Sequence, residues 1–550
     1  MKRLHFLILT FVSCFAFSQV NSPEEALNNV TEMAKQIEIN PIQKAAITQN
    51  GRIKPFDTFA RETILFLTGK YKKWGNDPVQ TYLALASSES APYAPMIEVR
   101  APDLRARLGY TSDKKYFSLA DLESSNIQTL AQPVFKKQEE GGKLNEDERK
   151  IAEVYSQMAV FQQIVMGDHF LRSIDFSIIN NEHGTGPVNP ILEKAKAYLD
   201  LLKKGTFAEA NLLAEDLVQS SRSQKVPDLF SHYMDKLDVE ILFNKLRLFF
   251  WSYVFAILGG FIFLFEVTRN KVSPKVGIFL QILPLIPLVI GLGFRVYITE
   301  FAPVTNMYGT MIWVSFGVII FSLMLFSLYK NWITSGLMLV GAGLILLLTE
   351  QIPLILSPDL DPIVAVLRSN FWLSTHVTTI TISYAAFTIA MILGNVALVR
   401  LWTHKDNEKF FKEYSHYAYR MIQLGCFLLT VGIILGGVWA DYSWGRFWGW
   451  DPKETWALIA DIGFLVLLHA RYIGWVTEFS LLALAPVSYL LVVMAWYGVN
   501  FILAAGLHSY GFSSGGAMAV TIFVGIQLGL LALGFYKRQT SGHSKTLKTK

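Results

Sequence analysis

Five of the 13 tryptophans fall within 18 residues, in the run Trp439-Ala-Asp-Tyr-Ser-Trp444-Gly-Arg446-Phe-Trp448-Gly-Trp450-Asp451-Pro-Lys-Glu-Thr-Trp456. An aromatic belt at a membrane interface spreads its rings over many helix ends. A local cluster instead suits a large, flat, apolar ligand with a charged edge. Gly445 and Gly449 would let the backbone come close to such a ligand. His376, just after Trp372, stands at the expected start of a helix, and His508 in the short segment 506–511. One histidine at a helix end is ordinarily a polar boundary residue. Two at one depth beside an aromatic shelf are better read as axial ligands to the metal of a planar macrocycle. Arg446, inside the cluster, is the best placed of four cations (with Arg295, Arg368 and Lys453) to bind carboxylates on the macrocycle's edge. His469 falls about two-thirds of the way through an apolar span. An ionisable group is expensive there and tends to be functional, although a helix-to-helix hydrogen bond is an equal alternative. Asp451-Pro452-Lys453-Glu454 combines an N-cap, a proline at the first helical position and a glutamate at the third, which is a capping box.

The elements that carry these residues follow from composition. The chain has 550 residues, 52% hydrophobic and 17% charged, which is too apolar for a soluble protein of this length. Its net charge of +5 calls for no nucleic-acid partner. Residues 1–18 read as a secretory signal: Lys2 and Arg3, then an apolar core, then Ala16-Phe17-Ser18. Residues 19–245 are mixed, polar and largely helical in pattern, so they form an extracytoplasmic soluble domain. No metal or nucleophile constellation stands out there, and His169, His183 and His232 read as structural or surface residues. Residues 136–150 read as a solvated loop or helix face. The two cysteines, Cys14 and Cys426, leave the mature chain with no internal disulfide, no CxxC pair and no CxxCH motif.

Apolar runs near 246–267, 276–298, 309–329, 333–356, 372–401, 419–439, 456–475, 479–504 and 516–536 are each long enough to span a bilayer. The expected fold class is therefore mainly α: a polytopic membrane protein of about nine transmembrane helices, with a basic tail at 537–550. Starting outside, the inner connections collect fifteen Lys and Arg residues, while the outer ones hold Arg368, Arg446 and Lys453. That bias puts the C-terminus inside. It leaves 299–308, 357–371, 440–455 and 505–515 outside, with the tryptophans and both candidate ligands. His404 and His416 fall in the basic inner connection and read as ordinary.

Trp444-Gly-Arg446-Phe-Trp448-Gly-Trp450-Asp451-Pro-Lys-Glu-Thr-Trp456 resembles the tryptophan-rich WWD signature of haem-handling proteins. The surrounding pattern resembles the CcsA/ResC type of cytochrome c biogenesis protein (system II). Ala302-Pro-Val-Thr-Asn-Met-Tyr308, Arg368-Ser-Asn-Phe-Trp-Leu-Ser-Thr-His376 with Ser383-Tyr-Ala following, and Gly506-Leu-His508-Ser-Tyr-Gly-Phe agree with it. The likeness covers about 276–536. It implies a multi-pass protein of the bacterial inner membrane, with the N-terminal domain and the haem site periplasmic. His376 and His508 would be the external haem ligands and His469 an intramembrane histidine that holds haem on its way outward. Reduced haem b would be carried across the bilayer and presented to an apocytochrome c bearing CxxCH. A holocytochrome c synthase of this kind includes a ResB-type part with a second intramembrane histidine. The runs before 276 hold none, so a separate ResB/CcsB-type partner is expected, or its replacement by the N-terminal domain. The family's acidic residue after the Asn-Met-Tyr segment is Gly309 here. The alternatives are a system I WWD haem exporter or lyase subunit, a membrane b-type cytochrome moving electrons, and a transporter unrelated to haem.

Overall fold

The computed structural model describes residues 22–178, 189–266, 273–363, 369–403, 408–503 and 516–546. The expected signal peptide, His183, Arg368, His404 and His508 lie outside them. The chain divides into two units, with the boundary after Asp238.

The first unit is mostly helical, as its composition implies, with two short antiparallel strand pairs that the sequence pattern did not announce, the first of them a hairpin. The hairpin pairs Ala46–Gln49 with Arg52–Pro55 around Asn50-Gly51, both at positive φ. Pro55 ends its second strand and the helix Phe56–Thr68 begins at once. Arg52 and Lys54 are fully buried in this strand. Lys54 is paired with Glu62 at 2.5 Å, and nearby Arg61 bonds Asp57 at 2.9 Å. Buried cations are tolerated only when partnered in this way. The charged run at 136–150 joins the ends of two helices, Ile127–Glu139 and Glu146–Met166, and Asn145 caps the second with Glu148 in a capping box. Among the described residues no group of three or more His, Cys, Asp or Glu could hold a metal.

In the second unit, nine helices among the described residues are long and apolar enough to cross a membrane, so the protein is a multi-pass, all-helical membrane protein. Their helical cores are α1 (Leu248–Glu266), α2 (Pro274–Thr299), α3 (Met307–Tyr329), α4 (Trp332–Gln351), α5 (Thr378–Thr403), α6 (Glu408–Trp444), α7 (Pro452–Tyr472), α8 (Glu478–Val493) and α9 (Ala517–Thr546). Helix α9 runs into the expected tail and carries Lys537 and Arg538. Helix α5 is central and packs on α3, α6, α8 and α9. Without a hydrophobic drive between helices in lipid, close approach rests on small residues. Gly260 of α1 and Gly336 of α4 lie against each other's carbonyls, and Gly394 of α5 lies against Leu482 and Pro486 of α8. Phe387 and Phe464 stack 3.9 Å apart between α5 and α7.

Several boundaries differ from the sequence expectation, and three that shape the site do so for a local reason. Helix α4 stops at Gln351 rather than 356, because Ile352 precedes a proline and leaves the helical region. Helix α6 continues to Trp444 rather than 439, since nothing breaks it before Gly445, which adopts φ +67° and bonds back to Asp441. Helix α7 starts at Pro452, four residues early. The expected outer connection 440–455 therefore shrinks to seven residues, 445–451.

His169 supplies a test of the first unit. It stacks on Phe59 at 4.9 Å and its Nδ1 lies 2.9 Å from the buried Tyr82 hydroxyl. Burial, then Arg172, lowers its pKa from 6.5 to about 4. The unfolded chain takes up this proton near pH 6.5 and the folded chain only near pH 4. The stabilisation is complete above about pH 6.5 and is lost as pH falls toward 4, by up to about 3 kcal/mol. Hydrogen-exchange protection of helices Pro78–Ser87 and Asp168–Ile174 in the full chain, corrected for intrinsic exchange, should fall across that window. His169→Gln should lose less; equal loss in both proteins would contradict the assignment.

Candidate functional site: an aromatic cavity at one end of the bundle

A cavity of about 570 Å³ opens at the end of the bundle where α6 finishes and α7 begins, within the usual size range of ligand sites. Two π-helical segments contribute to its wall: Leu373–Val377, which leads into α5, and Met494–Leu503, which continues α8. A π turn holds one residue more than an α turn and so re-aims its side chains, commonly at functional sites.

His376 sits in the first π segment and lines the cavity. Its Nδ1 lies 2.8 Å from the Gly432 carbonyl oxygen on α6. A carbonyl only accepts, so Nδ1 carries the proton and the lone pair of the neutral ring is on Nε2. The ring lies over Gly436, one turn further along α6, where any Cβ would run into it. Gly436 thus makes room for the imidazole, and the Gly432 carbonyl anchors it. Trp439 meets the ring edge-on at 5.7 Å and stacks with Trp372 at 6.5 Å.

The tryptophan cluster divides. Trp439, Trp444 and Trp448 line the cavity; Trp450, at φ +55°, is 71% exposed and not on its wall. Trp456 is half-buried and also off the wall. Asp451 caps α7, accepting from the Lys453 N–H at 2.9 Å, while Glu454 accepts from the N–H groups of Gly449 and Asp451. The capping box read from sequence is therefore present, and Asp451 is turned into the helix start.

The cations are arranged otherwise than expected. The Arg446 guanidinium lies over Gly449, faces Glu454 at 3.6 Å and is not on the cavity wall. It occupies the space at Gly449 that was expected to admit a flat ligand. Arg295 is buried, donates to the Pro358 carbonyl at 2.9 Å and lies over the Tyr308 ring. Among the described residues, Lys453 is the one of these cations that lines the cavity. His469 lies in the last turn of α7, exposed, at the opposite end of that helix. It is therefore nearer the helix end than the two-thirds expected, because α7 begins and ends earlier than the sequence suggested. His416 bonds Tyr329 at 3.2 Å, away from the cavity.

Two walls went unnoticed in the sequence. The non-helical stretch 352–363 brings Ser357, Asp359 and Asp361 to the cavity. Asn306 holds it, donating to the carbonyls of Ser357 and Asp359 while its Oδ1 caps α3 at Gly309. Asn370 similarly ties Glu300 and Ala302. Tyr308 donates to Glu350 of α4 at 2.5 Å. A side chain at Gly309 would press on the Pro303 carbonyl, so the family's acidic residue lacks room here. The other wall is the second π segment, with Trp496 and Asn500; a lone asparagine in an apolar run was its only sequence signal.

Residues 304–508 match the model of a family described as "Cytochrome C assembly protein", a range that includes His376, His469, His508 and the whole tryptophan cluster. The chain is 30% identical to Protein NrfI of Wolinella succinogenes over 499 residues, 84% of this chain and 53% of that protein. It is 43% identical over 158 residues to Cytochrome c biogenesis protein CcsA of Chlamydomonas reinhardtii, 28% of this chain and 44% of that one. The chain thus spans about half the length of these two relatives. Against CcsA of Guillardia theta, identity is 33% over 259 residues, 42% of this chain and 83% of that protein. The chain belongs to the CcsA family of cytochrome c biogenesis proteins.

Proposed function

We propose that this chain binds haem as a substrate in the aromatic cavity, translocates it, and presents it for covalent attachment to an apocytochrome c bearing CxxCH. The observation that carries the proposal is His376: its Nδ1–H is engaged by Gly432, so Nε2 has the lone pair that an axial ligand needs. Trp439, Trp444 and Trp448 support the macrocycle, and Lys453 is the cation for a propionate. His508 is the second axial ligand; it lies outside the described residues, five positions after the second π segment ends at Leu503.

The cavity end is the extracytoplasmic end. Lys330, Lys412, Arg420, Arg471, Lys537 and Arg538 all belong to the opposite ends of their helices, which supports this orientation by the positive-inside rule. At the cavity, each cysteine S–H adds across a haem vinyl C=C, sulfur to one carbon and hydrogen to the other. Atoms and electrons balance without an oxidant, so holding the reactants together is the protein's main task. His469 is exposed in the last turn of α7, where a partner helix can reach it. A ResB-type partner helix covering it would hold haem there before it reaches the cavity.

Purified protein should show the spectrum of a haem with two histidine ligands, and His376→Ala or His508→Ala should weaken it and cut holocytochrome yield at least tenfold. An unchanged spectrum in both variants would sink the ligand assignment. Gly436→Val, which leaves every proposed ligand in place but fills the space under His376, should lower haem occupancy several-fold; wild-type occupancy would show that this space does not position the imidazole.

A further inference from the structure

Trp496 and Asn500 stand one turn apart on the second π segment and both line the cavity. The Asn500 amide Nδ2 donates to the Trp496 carbonyl at 2.6 Å. Since that carbonyl only accepts, the amide cannot be flipped, and Oδ1 is the end left for other contacts. Asn500 is 6% exposed. Among the described residues neither its Oδ1 nor the Trp496 indole Nε1–H has a hydrogen-bond partner. A buried acceptor and a buried donor, one turn apart on a segment that lines the cavity, point to a ligand that satisfies both.

Haem does not meet that requirement. Its edge offers vinyl and methyl groups, which are apolar, and propionates, which when ionised only accept. A propionate could take the indole N–H but would face the Asn500 oxygen acceptor to acceptor. A peptide backbone offers the complement: an N–H for Asn500 Oδ1 and a C=O for Trp496 Nε1. Main-chain hydrogen bonds are a common means of holding extended peptides. Asp359 and Asp361 on the cavity wall add no donor of their own and favour a neutral or cationic segment over a second anion.

We propose that Trp496 and Asn500 form a peptide-docking subsite that hydrogen-bonds the main chain of the apocytochrome's attachment segment, separate from the groups that hold haem. This rests on the haem-attachment reading above, and it adds where the second substrate sits. The cavity is then shared, with haem against the His376 and Trp444 side and the peptide along Trp496 and Asn500. Holding the peptide by its main chain suits a protein that accepts variable residues between the two cysteines.

The test uses the full-length, haem-loaded protein in lipid nanodiscs and a fluorescent peptide carrying SxxSH, which cannot form thioethers. Trp496→Phe removes only the N–H and Asn500→Leu the acceptor. Each should weaken peptide binding about tenfold, as for one lost hydrogen bond, with the haem spectrum unchanged. Peptides N-methylated at successive amides should lose affinity for the wild-type protein at one position, and that loss should vanish in Asn500→Leu. The methylation series needs no folded variant. Wild-type peptide affinity in both variants, or no sensitive amide, overturns the proposal. Loss of the haem spectrum in Trp496→Phe also overturns it, by assigning the indole to haem. If the wild-type protein carries no haem but binds the peptide with this pattern, the subsite stands and the haem reading fails.

Discussion

The site depends on one hydrogen bond, from His376 Nδ1 to the Gly432 carbonyl. It fixes which ring nitrogen carries the proton, and so which one can bind a metal. It also fixes where that nitrogen is, because the imidazole lies against Gly436, one turn beyond the carbonyl that holds it. This contact exists only if α5 and α6 pack closely, which small residues allow in a bilayer, where apolar contact by itself gives helices little reason to associate. The π segment before α5 is the backbone's contribution: it turns His376 toward α6 at the level where Trp439, Trp444 and Trp448 end.

Around this pair, polar latches hold the irregular stretches of the cavity wall against the helices. Asn306 and Asn370 satisfy carbonyls of the irregular stretches, and Arg295 reaches Pro358. Irregular backbone at the edge of a membrane protein must be satisfied internally, and these side chains do that. The motif residues Asn306 and Asn370 therefore read more as supports of the walls than as ligands. Lys453 lines the cavity while Arg446 is drawn to Glu454. A histidine pair facing across the bilayer, as a b-type cytochrome would need, is not found among the described residues: His469 is exposed at the far end of α7 and His416 bonds Tyr329.

Much of this was legible in the sequence. Hydropathy located all nine spans because length and apolarity are properties of each segment alone. The capping box at Asp451 was legible because its chemistry lies within four residues. What failed was what depends on neighbours. The extension of α6 to Trp444 was missed because the tryptophan-rich run reads as a loop by composition, although it has no breaker before Gly445. Arg446 was the expected cation because of its place in the cluster, and its turn onto Gly449 and Glu454 is a three-dimensional fact. The glycine contact of His376 joins residues 56 or more positions apart, and no local pattern announces it. Trp496 and Asn500 were hidden in an apolar run.

The most direct measurement is a cryo-EM structure of the full-length protein purified with its haem. The account predicts planar porphyrin density in the cavity beside Trp444 and Trp448, with the iron at bonding distance from His376 Nε2 and the Gly432 contact kept at Nδ1. Porphyrin density elsewhere in the bundle only, or an iron bound in the cavity with His376 turned away from it, would contradict it.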